Sequence, residues 1–245
     1  MDIATLPVLK KELPEHLSWL EERVRQLVRP VAFLRASKGT SALPGQTLLG
    51  VVDVPVGGAS GFQAADPLRL CQSPYDGDSS WLQLDLESIP TELRAHLPKG
   101  LPAHGVVWMT LNLSGSWRAD TYFDPRPRSE IQFRPRLAQL KYESVQMVLR
   151  ETLPFADEQV LPEIAWDWKG GQGLCSDYDD WVQEHYGGRG EHVQLGGWVW
   201  PCQGFAEERQ PSFVLGFERQ AFGDSGSAYL HFTEESGFFG IVETH

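Results

Sequence analysis

The second half of this chain repeats the first in outline, and that repeat limits the fold more than any other feature. Residues 47–55 read Thr-Leu-Leu-Gly-Val-Val-Asp-Val-Pro, and residues 193–201 read Val-Gln-Leu-Gly-Gly-Trp-Val-Trp-Pro. Residues 82–86 (Leu-Gln-Leu-Asp-Leu) answer to 213–218 (Phe-Val-Leu-Gly-Phe-Glu), and 105–111 (Gly-Val-Val-Trp-Met-Thr-Leu) to 226–232 (Gly-Ser-Ala-Tyr-Leu-His-Phe). Short apolar strings bounded by Gly and Pro are strand signals. With 24 Gly, 17 Pro and 9 Trp, the composition favours short strands and turns over long helices. Two like sheets can extend or pack on each other and bury a shared face.

Helices are expected at a few places only. Over residues 13–28, Leu17, Leu20, Val24, Leu27 and Val28 recur every three or four positions, with Glu21, Glu22, Arg23 and Arg25 between them. This is an amphipathic pattern, and Pro30 stops it. Shorter helices are expected over 91–97, 144–153 and 176–186, the last with Ser176 as N-cap and Asp179 three residues on. Strands are expected over 31–35, 47–54, 81–86, 106–113, 117–123, 211–218, 227–233 and 238–243. The expected organisation is an N-terminal helix (1–30) and one domain over 31–245. Its halves span about 31–140 and 190–245 and are joined by a helical acidic connection, 144–186.

The motifs at these positions resemble the YwqG-like family, a bacterial domain of unknown function. Its Leu-Gly-Gly-x-Pro-like turn falls at Gly196, Gly197 and Pro201, followed by Gln203. Its Gln-Leu-Asp-like strand falls at Gln83, Leu84 and Asp85, and its Gly-Asp-x-Gly at Gly223, Asp224 and Gly226. The first-half turn departs from the pattern, with Val51 where a second Gly is usual, and the second inserts Trp198-Val199-Trp200 before Pro201. The resemblance implies an α+β fold with an internally duplicated, largely antiparallel β-sheet. It brings no established catalytic residue, and it admits a toxin-neutralising or accessory binding role. Gly196, Gly197, Pro201, Gly223, Asp224 and Gly226 then read as structural turn residues, because Gly permits φ > 0 and Asp bonds local backbone.

Other readings are weaker. Gly223-Asp224-Ser225-Gly226 imitates a serine-protease nucleophile, with His104 or His231 as conceivable base. The same four residues serve equally as a turn, and a triad is defined by geometry. No histidine stands in HExxH or in a zinc-type Cys spacing. The Gly-rich stretches at 169–173 and 187–190 do not fit a phosphate loop. Three cysteines without CxxC spacing read as reduced thiols. Neither a catalytic set, a metal nor a cofactor is therefore expected. The net charge of −12 repels phosphate backbones and anionic lipid, which argues against nucleic-acid and membrane partners. No apolar run approaches the length of a membrane span, and residues 1–20 lack a signal-peptide pattern. A cytoplasmic protein is expected.

The charge is concentrated. Residues 151–184 hold nine acids against one base, Lys169, interleaved with aromatics. Trp166, Trp168, Asp177, Tyr178, Asp179, Asp180, Trp181 and Glu184 are accordingly the candidate partner-binding residues. Acids would steer a basic protein and aromatics anchor it. The expectation is a non-enzymatic binding module, such as an immunity-like protein masking a basic toxin domain. The alternatives are a hydrolase at the Gly-Asp-Ser-Gly turn and a small-ligand site in a groove around Trp198 and Trp200.

Overall fold

Among the described residues ten strands form one sheet in which every neighbouring pair is antiparallel. The computed structural model describes residues 7–41, 48–50, 80–112, 118–127, 130, 142–156, 159–164, 172–186, 193–199, 210–217 and 226–244. The strands are β1 (Arg29–Ser41), β2 (Leu48–Gly50), β3 (Ser80–Asp85), β4 (Val106–Asn112), β5 (Arg118–Asp124), β6 (Tyr142–Thr152), β7 (Val193–Gly196), β8 (Phe213–Phe217), β9 (Gly226–Thr233) and β10 (Gly237–Thr244). Among the described residues three α-helices accompany them: α1 (Glu21–Leu27), α2 (Thr91–Arg94) and α3 (Gln172–His185). The α+β class is as expected.

The strand order is β10-β9-β8-β7-β1-β6-β2-β3-β4-β5. Exchanging β1–β5 with β6–β10 reverses this order and leaves it otherwise unchanged. The three pairs of strings aligned in the sequence are β2 with β7, β3 with β8 and β4 with β9, and each pair occupies equivalent positions. The two first strands, β1 and β6, pair in the middle with Arg29 opposite Thr152. Each stands between the other repeat's first and second strands.

The two edge strands also meet. The Thr121 hydroxyl of β5 donates to the Phe238 carbonyl of β10 at 2.8 Å. Phe123 and Phe238 rings lie 5.0 Å apart, and Gly240 is so close to Ala119 that a Cβ there would sit 2.5 Å from its methyl. The sheet therefore curls until β5 and β10 touch, which covers the edges that open sheets leave exposed.

Two apolar clusters follow from strand alternation. In β9, Ala228, Leu230 and Phe232 join one cluster, while Tyr229 between them joins the other. The first cluster includes Ala32, Leu34, Val107, Met109 and Leu195, and receives Leu86, Ile89, Leu93 and Leu97 from the segment around α2. Arg94 ties that segment down, donating to the carbonyls of Leu86 and Ala103. The second cluster joins the outer face of β8 and β9 (Phe213, Tyr229) to a helical layer. That layer supplies Leu13, Leu17, Leu20, Val24 and Leu27 from the N-terminal segment and Tyr178, Trp181 and Val182 from α3. Full burial of each such leucine contributes about 1.5–3 kcal/mol.

Three local expectations need correction. Residues 144–153 were expected to be helical, as part of the connection 144–186, but form β6. This strand is hydrogen-bonded on both sides, to β1 and β2, and that pairing outweighs its helix propensity. α3 begins at Gln172, so Ser176 lies inside the helix and does not cap it. Leu174 packs against the second cluster and Cys175 is buried, and the helix is longer by a turn. The N-terminal helix forms, but Glu15–Leu20 is 3-10 in type and only Glu21–Leu27 is α. Ser18 Oγ takes the Glu15 carbonyl at 2.7 Å and Trp19 Nε1 the His16 carbonyl at 3.0 Å. Side chains thus occupy acceptors of an ordinary α-turn.

Candidate functional site

The acidic segment sorts itself by helical phase. On α3, Cys175, Tyr178, Trp181 and Val182 recur at the spacing that keeps one face inward, and all four are buried. Asp177, Asp180 and Glu184 occupy the opposite face and are exposed. Tyr178 is fully buried and Trp181 is 6 % exposed, so neither is a surface anchor. This corrects their place among the partner-binding residues: burial of large rings against the N-terminal segment outweighs their exposure. Trp181 Nε1 donates to the Glu12 carbonyl at 3.0 Å, and the Lys10 amide donates to the Tyr186 hydroxyl at 2.6 Å. Trp166 and Trp168 lie outside the described residues.

Asp179 is half-buried and accepts from the Ala156 amide at 2.8 Å. It tethers residues 153–156 to the helix. It also stands beside Cys175, whose thiol lies 3.7 Å from its carboxylate. Burial first, and this charge second, push the thiol pKa up to about 11. Cys175 is therefore a protonated core group and a poor nucleophile at neutral pH.

The sequence reading missed the aromatic that does face solvent. Trp19 is 58 % exposed, with its indole fixed by the bond to His16. His16 Nε2 in turn lies 2.8 Å from Asp177 Oδ2, which joins the 15–20 turn to α3. The exposed residues of these two segments include Glu12, Glu15, Glu22, Asp177, Asp180 and Glu184, together with Lys11 and Trp19. Of the nearby bases, Arg25 is paired with Glu21 and Arg23 donates to the Val160 carbonyl. The helical pattern itself held the signal for Trp19: with Leu17 and Leu20 inward, it points outward.

The Gly-Gly pair closes β7. Gly196 and Gly197 have φ of 67° and 77°, a region strained for any side chain. A Cβ on Gly197 would come within 2.6 Å of Thr152 Cγ2 and 2.9 Å of Val31 Cβ. The turn delivers Trp198 and Val199 into the second cluster. Gln210 braces it, accepting from the Val199 amide at 3.0 Å and donating to the Gly197 carbonyl at 2.7 Å. Gly226 is the first residue of β9, opposite Thr244. Pro201, Gly223, Asp224 and Ser225 lie outside the described residues.

The histidines considered for hydrolysis are apart in character. His104 is exposed. His231 is 1 % exposed, with Nδ1 2.9 Å from Ser212 Oγ and its ring stacked 5.3 Å from Phe239. Packed rings surround it. Among the described residues no group of three or more His, Cys, Asp or Glu could hold a metal ion, and no helix is long and apolar enough to cross a membrane. Compared with known proteins, the chain matches no family model and no curated protein.

Proposed function

We propose that this chain is a non-enzymatic, cytoplasmic binding module of the YwqG-like type that receives a basic protein on its acidic helical face, as an immunity protein would mask a toxin domain. The supporting observation is the exposed Trp19 on the 15–20 turn, which His16 joins to the exposed acids of α3 through Asp177. A rigid indole supplies contact area at low entropic cost, while surrounding carboxylates raise the association rate with a cationic partner. Trp19 is the anchor in this reading, since Tyr178 and Trp181 are buried.

The test is co-expression with the product of the adjacent gene, followed by co-purification in low salt. A complex is expected, with Trp19→Ala weakening it at least tenfold, mainly through faster dissociation. Asp177→Lys with Asp180→Lys should slow association and reduce its salt dependence. Absence of a complex in low salt, or one indifferent to all three changes, would refute the proposal.

A further inference from the structure

We propose that the groove beside the Gly-Gly turn binds a small phosphate-bearing anion. The groove has a volume of about 490 Å³ and is lined by Arg29, His96, Leu97, Lys99, Trp198 and Gln210, together with Ala95 and prolines 98 and 211. This size suits a small metabolite. In a chain of net charge −12, no Asp or Glu is among its described lining residues, and two fixed cations are.

Arg29 is the central group. Its guanidinium carbon lies 3.8 Å from the centre of the Trp198 ring. It is half-buried, burial lowers its pKa, and among the described residues no carboxylate pairs with it. Removing a cation from water without a counter-charge is unfavourable. The scaffold nevertheless holds it in place. Trp198 Nε1 donates to the Leu27 carbonyl at 2.5 Å, and the Trp198 carbonyl accepts from Gln194 Nε2 at 2.5 Å. The indole is thus a fixed platform that orients a planar fork of donors, the geometry that recognises oxyanions.

The remaining lining narrows the ligand class. Arg29 already covers a face of Trp198, which disfavours a ligand held by ring stacking. The Gln210 amide is committed to Gly197 and Val199. Recognition therefore falls to Arg29 and Lys99, with His96 as a further donor, and two fixed positive charges match a phosphate dianion better than a single carboxylate. This inference stands apart from the protein-binding proposal, since none of its residues belongs to the acidic face.

The test is calorimetric titration of the full chain with ribose 5-phosphate, inorganic phosphate, ribose and acetate. Saturable millimolar or tighter binding of at least one phosphate probe is expected, with none of ribose or acetate. Tighter binding of the ester identifies a phosphorylated metabolite as ligand, and equal or tighter binding of inorganic phosphate identifies the free ion. Arg29→Met should weaken binding at least tenfold. Lys99→Met, at an exposed position that leaves folding intact, should weaken it at least threefold. Absence of phosphate binding, acetate binding as tight as phosphate, or unchanged affinity in Lys99→Met would overturn the proposal.

Discussion

Replacing Gly197 by alanine tests whether the Gly-Gly turn is fixed by backbone sign and by space together. At φ +77° an L-residue costs roughly 1–2 kcal/mol. The new methyl would also meet Thr152 and Val31 at 2.6 and 2.9 Å, and overpacking of this kind costs about 1–3 kcal/mol. The sum is about 2–5 kcal/mol, a large part of the roughly 5–15 kcal/mol that holds an ordinary domain together. Two other glycines separate the contributions. Gly237 has φ +69° but open space around it, so Gly237→Ala should cost only the backbone part, about 1–2 kcal/mol. Gly240 lacks the positive φ but abuts Ala119, so Gly240→Ala should cost only the steric part, about 1–3 kcal/mol. Urea denaturation, compared at a common slope, reads all three. The reasoning fails if Gly197→Ala is no less stable than Gly237→Ala.

Three further outcomes are expected. The Tyr178 hydroxyl is buried with no hydrogen-bond partner among the described residues, so Tyr178→Phe should leave stability unchanged or raise it by up to about 1 kcal/mol, whereas Tyr178→Ala should lose about 3–5 kcal/mol; equal effects in denaturation would contradict the core position. In a Cys71→Ser, Cys202→Ser background, Cys175 should resist a thiol reagent at pH 8 until the protein is unfolded in urea; rapid labelling of the native state would contradict its raised pKa. Asp124 accepts from Arg126 Nη2 at 2.6 Å, and this bond holds its pKa below the ordinary carboxylate value. Its contribution should therefore be fully present above pH of about 4 and be lost as pH falls through the lowered folded value. Thermal melts should show the wild-type advantage over Asp124→Asn shrinking only at acid pH, and an advantage that grows there would reverse the assigned sign.

The parts of the fold legible in the sequence were those in which local pattern and tertiary pairing agree. Leu-Gln-Leu-Asp and Ala-Tyr-Leu-His-Phe alternate in sequence and both form strands, and in the second Ala228, Leu230 and Phe232 join one cluster and Tyr229 the other. Residues 142–152 carry apolar groups at spacings compatible with helix or strand, and only the partners β1 and β2 decide between them. At α3 the acid and aromatic composition was plain. Its division into a buried face with Tyr178 and Trp181 and a wet face with Asp177 and Asp180 required the helical phase. The stacking of Arg29 on Trp198 had no sequence signal, because it joins the start of β1 to a turn in the other repeat.

The interleaving of β1 and β6 bears on how such a chain is made. β1 emerges early in synthesis, yet both strands that flank it, β6 and β7, belong to the later repeat. A nascent first repeat therefore holds two strands that are not neighbours, and its centre stays open until the second repeat arrives. Such delayed pairing slows folding and prolongs exposure of apolar surface. It also describes a strand-exchanged dimer whose two copies have been fused: each repeat completes its twin, and a gene truncated between them would encode a protein without a middle.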